Sequence, residues 1–445
     1  MNRNATTAVL LLAALGLTGC SHLPSWMGGT KTEKPKLEGE RIAVLPVDAD
    51  LQPDPALKTT AVTLPPVNKN ADWPAHSGMF SAGAANLAGG SFDTITSATA
   101  GDGEGFESTL LITPVVGGGM VFAMDALGTI SAHDSADIGN RKWKGKGVAQ
   151  DDDSPVMGGG LAYGDGKLFA ASGRGVVAAF DAATGKELWR KALHVPFRSA
   201  PALGAGKLFA VTLDNQLYAL NTADGEVSWT QRGISETTGL MSTVSPVVAG
   251  DMVVAPYSSG ELYVLSVADG REIWSDSLSG GKRLQASALF SGIGGDPVVD
   301  GAVLFAASSG GLLTVKALAN GQPAWGLPIG TTNTPWIAGD YLFLLSSEHT
   351  LLALHKFDGH IRWATRLPGF EDEAKKKDPI TWKGPVLVDG KLALVSSNGQ
   401  LKLINALDGT VAATKEIPEN IFTSPVVAGS KMYLMGQDAT LYELQ

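Results

Sequence analysis

Apolar and polar positions along this chain fall into one short pattern that recurs. Residues 245–278, SPVVAGDMVVAPYSSGELYVLSVADGREIWSDSL, show it most cleanly. A Ser-Pro opens a short apolar run. Ala249-Gly250-Asp251 is a tight polar turn into a second run, Met252–Pro256. Ser258-Ser259-Gly260 turns again into Glu261–Val267, where apolar and polar residues alternate. Asp269-Gly270 makes a third turn, and Trp274 stands four residues beyond the glycine. Short runs bounded by Gly, Asp and Ser predict four β-strands joined by three tight turns.

Variants of this unit fill most of the chain. Each opens on a proline: Pro114, Pro155, Pro201, Pro246, Pro297, Pro335, Pro385 and Pro425. The mean spacing is about 44 residues, the period of four-stranded β-propeller blades. A second marker keeps the register. Gly is followed four positions later by Trp at Gly139/Trp143, Gly185/Trp189, Gly225/Trp229, Gly270/Trp274, Gly321/Trp325 and Gly359/Trp363. The seventh copy keeps Gly409 but carries Ala413, and the eighth ends at Gln445. The Asp-Gly or Thr-Gly pair supplies the left-handed backbone of a tight hairpin. The Trp is expected on the outermost strand, covering the seam to the next blade with its indole N–H on a backbone carbonyl. Truncating a buried one should cost about 3–5 kcal/mol.

The fold class expected is all-β, an eight-bladed propeller over 71–445. The last copy supplies only three strands, Thr423–Val427, Met432–Gly436 and Thr440–Leu444. Ser91–Thr99 alternates and has no local partner, so it is expected to close the last blade as its outer strand and remove an exposed edge. Asp72–Gly78 and Ala84–Leu87 are then expected on the rim.

The first 70 residues differ. Met1-Asn2-Arg3 is basic, and Ala8–Leu17 is an apolar run of about ten residues, too short to span a bilayer. Leu17-Thr18-Gly19-Cys20 has the form of a lipoprotein signal-peptidase site. Cys20 is the only cysteine in 445 residues, so no intrachain disulfide or thiolate metal site can form. The expectation is a signal peptide over 1–19, lipid on Cys20, and a mostly flexible tether over 20–70 rich in Pro, Lys, Glu and Asp. Within it, Glu40–Pro46 is an apolar island, read as a short strand or docking peptide. A second acyl chain makes such an anchor stable. Ser21 after the cysteine, by resemblance to lipoprotein sorting rules, implies the outer membrane and its periplasmic face.

Composition narrows the chemistry. Net charge is −10 and charged residues make up only 18%. No basic patch interleaved with aromatics occurs, which argues against a nucleic-acid partner. Asp151-Asp152-Asp153 lacks the spaced ligands of a calcium loop. The seven histidines share no zinc-binding spacing. Gly117–Gly119 and Gly158–Gly160 lack the Lys-Ser/Thr of a phosphate loop and read as hairpin turns. Glu371–Lys377 reads as a solvated charged loop. No catalytic residue, metal site or cofactor site is expected.

The repeat resembles that of the quinoprotein dehydrogenases, which bind pyrroloquinoline quinone (PQQ) on eight-bladed propellers with the same Gly-to-Trp offset. A single cysteine excludes their vicinal cysteine pair and their haem-attachment motif. Lipobox, tether, Asp72-Trp73-Pro74 and the repeats together resemble the BamB family of the β-barrel assembly machinery (BAM complex). Gly39-Glu40-Arg41-Ile42, Val44-Leu45 and Pro53-Asp54-Pro55 resemble its α-proteobacterial branch. The resemblance implies a non-enzymatic scaffold that binds the periplasmic POTRA domains of BamA beside other BAM subunits. It would assist barrel insertion and, on one reading, meet unfolded outer-membrane proteins. It places partner contacts on Phe197 and Arg198, in Val195–Pro201, and on Met241 and Thr243, where the family carries acidic residues. Arg198→Glu is then expected to weaken BamA binding at least tenfold with folding unchanged. Two other readings stay open: a propeller lipoprotein for a different protein or glycan, and a degenerate quinoprotein.

Overall fold

A computed structural model describes residues 51–445 apart from 58–59, 77–85, 102–111, 149–157, 236–242 and 280–291. Cys20, Glu40–Pro46, Asp151–Asp153 and Met241 lie outside the described residues. Among those described, strands of the repeat form eight antiparallel sheets of one order, over 115–145, 159–192, 202–232, 247–277, 298–327, 336–366, 382–416 and 426–444. Sheet four has the strands Val247–Ala249, Met252–Pro256, Glu261–Ser266 and Glu272–Ser277, close to the pattern in the sequence. Sheet eight takes Ile95–Thr99 as its fourth strand, paired antiparallel to Thr440–Leu444, as its missing strand required.

The ring is assembled from the inside out. The first strands of neighbouring sheets approach one another from sheets one to five and from six to eight. Second strands are buried almost throughout, third strands are buried in sheets one, two and six and partly alternate in three, four and seven, and fourth strands are the most exposed. In sheets one to seven the third strand carries a register shift just before its Gly turn, as at Val264/Leu265. In sheets two to seven the bulge accompanies a turn glycine in the left-handed region.

The tryptophans lock the seams as expected. Trp143, Trp189, Trp229, Trp274, Trp325 and Trp363 each donate the indole N–H to a carbonyl of the next sheet at 2.7–3.1 Å. Each ring lies on the turn glycine of that next sheet. A Cβ on Gly185, Gly225, Gly270, Gly321, Gly359 or Gly409 would meet the preceding ring at 2.6–2.7 Å. These glycines, with φ of 70–77°, are thus required by both the turn and the ring above it. This explains the seventh copy. Gly409 serves Trp363 of sheet six, whereas Ala413 faces sheet eight, whose fourth strand arrives from the N-terminal side without such a turn. At the closing seam Lys431 Nζ donates to the Ser135 and Ala136 carbonyls at 2.9 Å, and the Tyr433 hydroxyl donates to Ser135 O at 3.1 Å.

Three expectations are corrected. Residues 51–70 are in contact with the sheets. Asp54 N donates to Ile361 O at 2.8 Å, Arg362 Nε donates to Thr60 O at 2.8 Å, and Val62 is buried between sheets six and seven. Apolar Leu51, Val62 and Leu64 hold a segment whose composition otherwise suggests a linker. Second, Asp72–His76 is in the central channel, away from the rim. Trp73 pairs with Val116 of the innermost strand of sheet one and stacks on Trp336 of sheet six, with centroids 6.2 Å apart. Asn70 Nδ2 donates to Val427 O of sheet eight, and Pro74 O accepts from Tyr163 N of sheet two. Chain that cannot add to a sheet edge satisfies its backbone on the inner strands. Third, Gly118-Gly119 is a hairpin turn, but Gly159–Gly164 is the inner strand of sheet two. The Ala171 carbonyl oxygen at Gly159 and the Ala200 Cβ at Gly160 come too close there for any added Cβ. Glu371–Lys377 is the exposed tip of a small hairpin, Phe370–Asp372 against Lys377–Pro379.

His133 is buried in sheet one, donating from Nδ1 to Ile138 O at 2.7 Å, with Nε2 3.1 Å from Ser131 Oγ. Burial pushes its pKa below the ordinary value, as it does for His349. The fold therefore holds a neutral imidazole that the unfolded chain protonates below about pH 6.5. Stability is full above that pH and falls as pH drops through it. The urea midpoint should decrease from pH 7.5 to 5.5, and His133→Gln should shrink that decrease. An equal decrease in both proteins would refute a role for His133.

Candidate functional site

The loops that leave a fourth strand and enter the next first strand share one face with the second-to-third-strand turns. Leu193 N bonds Gly175 O, Gly233 N bonds Asn215 O, Leu278 N bonds Gly260 O, and Leu367 N bonds His349 O. The opposite face joins the remaining turns, as Val267 N to Asp251 O and Ala406 N to Gly390 O. Residues 61–65 lie on that opposite face, where Thr63 O and Leu64 approach the turns at Gly339 and Gly390. Residues 61–65 do not extend over the entering-loop face.

Three of the four residues singled out in the sequence are described, and the structure does not bring them together on a surface. Phe197 is 1% exposed, bridged to Thr212 and edge-on to Tyr218 at 5.9 Å, within the core between sheets two and three. Arg198 is 5% exposed, and its Nη2 donates to Pro256 O of sheet four at 2.6 Å. It ties the entering loop of sheet three to the next sheet. Thr243 lies at the channel, its Oγ1 3.3 Å from His76 Nε2.

Beside the buried Phe197-Arg198 pair stand two apolar residues that sequence reasoning missed. Leu213 is 48% exposed and its N–H donates to Pro196 O at 2.7 Å. Ile234 is 62% exposed, and its carbonyl accepts from Asn215 Nδ2 at 2.7 Å. Asn215 Oδ1 in turn accepts from Ser258 N, so both residues are held on a braced turn between sheets three and four. Comparison of the copies contains the signal. The position of Leu213 carries Gly173, Ser258, Ser309, Ser347 and Ser397 in other sheets. With Ala126 and Gln437 in sheets one and eight, Leu213 is the one large apolar residue at this position.

The channel opens on the same face into a cup of about 390 Å³. One wall is internally bonded. Asp296, 1% exposed, accepts from Ser245 N at 2.7 Å and sits 2.9 Å from His76 Nδ1. Its own N–H donates to Thr334 Oγ1 at 3.1 Å. Sheets seven, eight and one contribute Lys383, Thr423 and Thr113 to the remaining lining.

The family model described as "Outer membrane protein assembly factor BamB" matches residues 145–365, sheets two to six with the edge of sheet one. A relative of that name from Yersinia pestis is 25% identical over 337 residues, covering 74% of this chain and 83% of its own. Another, from Escherichia coli strain K12, is 27% identical over 336 residues, with 64% and 83% covered. Among solved structures, BamB from Moraxella catarrhalis superposes with a TM-score of 0.66 at 16% identity, over 79% of this chain and all of that one. A europium-containing methanol dehydrogenase reaches 0.61 at 13% identity, over 82% and 89%. The two structural likenesses show a shared propeller fold alone. The sequence relatives distinguish between them: matched through its tryptophan-locked sheets and aligned with assembly factors of that name over most of its length, the chain is similar to the BamB family.

Proposed function

We propose that the chain is a non-enzymatic scaffold of the BAM complex. Lipid on Cys20 anchors it to the periplasmic face of the outer membrane, and residues 21–50 act as the tether. It binds BamA through POTRA domains, works beside other BAM subunits, and assists insertion of β-barrel proteins. The observation that carries the docking site is the exposed apolar pair Leu213 and Ile234 on the entering-loop face. Apolar anchors on a braced turn bind with little ordering cost. Phe197 and Arg198 support that face from beneath, Thr243 stands beside it at the channel, and Met241, outside the described residues, is retained as a contact on the resemblance alone. The lone cysteine leaves no vicinal pair for quinoprotein chemistry.

Leu213→Asp combined with Ile234→Asp should weaken capture of BamA POTRA domains at least tenfold. Both side chains are solvent-exposed, so the urea midpoint should stay at the wild-type value. Capture of BamA at wild-type affinity by this variant would move the docking site elsewhere. Absence of BamA from membranes solubilised with the wild-type protein would sink the scaffold reading itself.

A further inference from the structure

The channel cup is asymmetric in its hydrogen bonding. On the side of sheets four to six, His76, Asp296, Ser245 and Thr334 satisfy one another. The rest of the lining contains groups that do not. Thr113 Oγ1, Asn333 Oδ1 and Thr423 Oγ1 are buried without a hydrogen-bond partner, and their residues are 4%, 5% and 3% exposed. Lys383, on the innermost strand of sheet seven, lines the same cup and has no hydrogen bond or ion pair among the described residues. Natural folds rarely leave several buried polar atoms unpaired around one cavity, and such groups point to something that pairs them. A half-buried lysine lacking a carboxylate partner adds an uncompensated charge to the set. Burial alone pushes its pKa down.

We propose that the channel cup is a binding site for a small oxyanion, a carboxylate or a phosphate, held by Lys383 with Thr113, Thr423 and Asn333. The ammonium supplies the charge. The two hydroxyls rotate to donate, and the carboxamide donates when its nitrogen faces the ligand. The cup volume of about 390 Å³ admits a small metabolite and excludes a folded domain. Asp296 does not compete for Lys383, because its two oxygens are already engaged by Ser245 and His76. The site is independent of the partner-docking reading: it stands on the channel, whereas Leu213 and Ile234 stand outside it.

Calorimetric titration with inorganic phosphate and with lactate, at ionic strength matched by chloride, tests it on the full mature chain. Saturable binding of either is expected, and the one that binds names the source of the oxyanion. Lys383→Met keeps the stem and removes the charge. It should weaken binding at least tenfold, and without anion its urea midpoint should equal or exceed the wild-type value, because a half-buried unpaired charge is gone. Thr113→Val with Thr423→Val should weaken binding with Lys383 intact. No saturable binding of either anion beyond the chloride control would overturn the proposal and leave the cup to water. Equal affinity in wild type and Lys383→Met would overturn it as well.

Discussion

Trp73→Ala should lower the unfolding free energy by about 3–5 kcal/mol, read as a lower urea midpoint with an unchanged slope. Trp73 is 3% exposed at the centre of the ring and packs on Trp336 at an interplanar angle of 16°. Its backbone exchanges both hydrogen bonds with Val116, at 2.8 Å each, and these survive truncation of the side chain. The loss is therefore that of the ring: transfer energy, the cavity left, and a stack worth about 0.5–1.5 kcal/mol. No sheet edge can collapse into that cavity, because the inner strands are fixed by the ring. Trp73→Phe separates packing from polarity. Trp73 Nε1 is buried with no hydrogen-bond partner, so phenylalanine keeps an aromatic face and removes an unsatisfied donor. It should stay within about 1.5 kcal/mol of wild type. A Trp73→Ala midpoint equal to wild type would mean that the channel segment is dispensable to the ring.

The sheets were legible because each residue of the repeat answers to a local rule: period two within strands, a left-handed glycine at the turn, a tryptophan four residues on. The closing strand was legible by count, since the last copy was one strand short. The channel segment was not. Asn70–His76 has no period, and its partners Val116, Tyr163, Thr243, Asp296, Trp336 and Val427 are spread over more than 300 residues of chain. No local pattern encodes such contacts. The loop singled out in the sequence does lie on the entering-loop side, but its side chains point inward. Phe197 stands four residues before Pro201, as Ile293 does before Pro297 and Ile421 before Pro425. All three make the same isolated bridge to the second strand of their sheet, and all three are buried. Aligning the copies at that position identifies an apolar core site of the repeat, and it is Arg198, with no counterpart in the other two, that is special to sheet three.

Arg198→Glu, expected from the sequence to spare the fold, should instead destabilise it by about 4 kcal/mol or more. The guanidinium is buried, and Nη2 donates to Pro256 O at the end of the second strand of sheet four. Glutamate at this place has no proton to give. It removes the donor from a carbonyl, points a carboxylate at it, and cannot reach water without opening the seam between sheets three and four. Desolvating an ionised carboxylate costs several kcal/mol, and the carboxylate would sit beside an acceptor. Arg198→Met divides the effect. It preserves the aliphatic packing, loses the hydrogen bond and adds no charge, so it should cost about 1–3 kcal/mol. The order wild type, Arg198→Met, Arg198→Glu in urea midpoint is therefore expected. Lost BamA capture by Arg198→Glu would then report a disordered loop and not a missing contact. This is why the exposed pair Leu213 and Ile234 carries the docking test. Arg198→Glu unfolding at the wild-type midpoint while BamA capture falls tenfold would place the guanidinium at the docked surface and reverse this assignment.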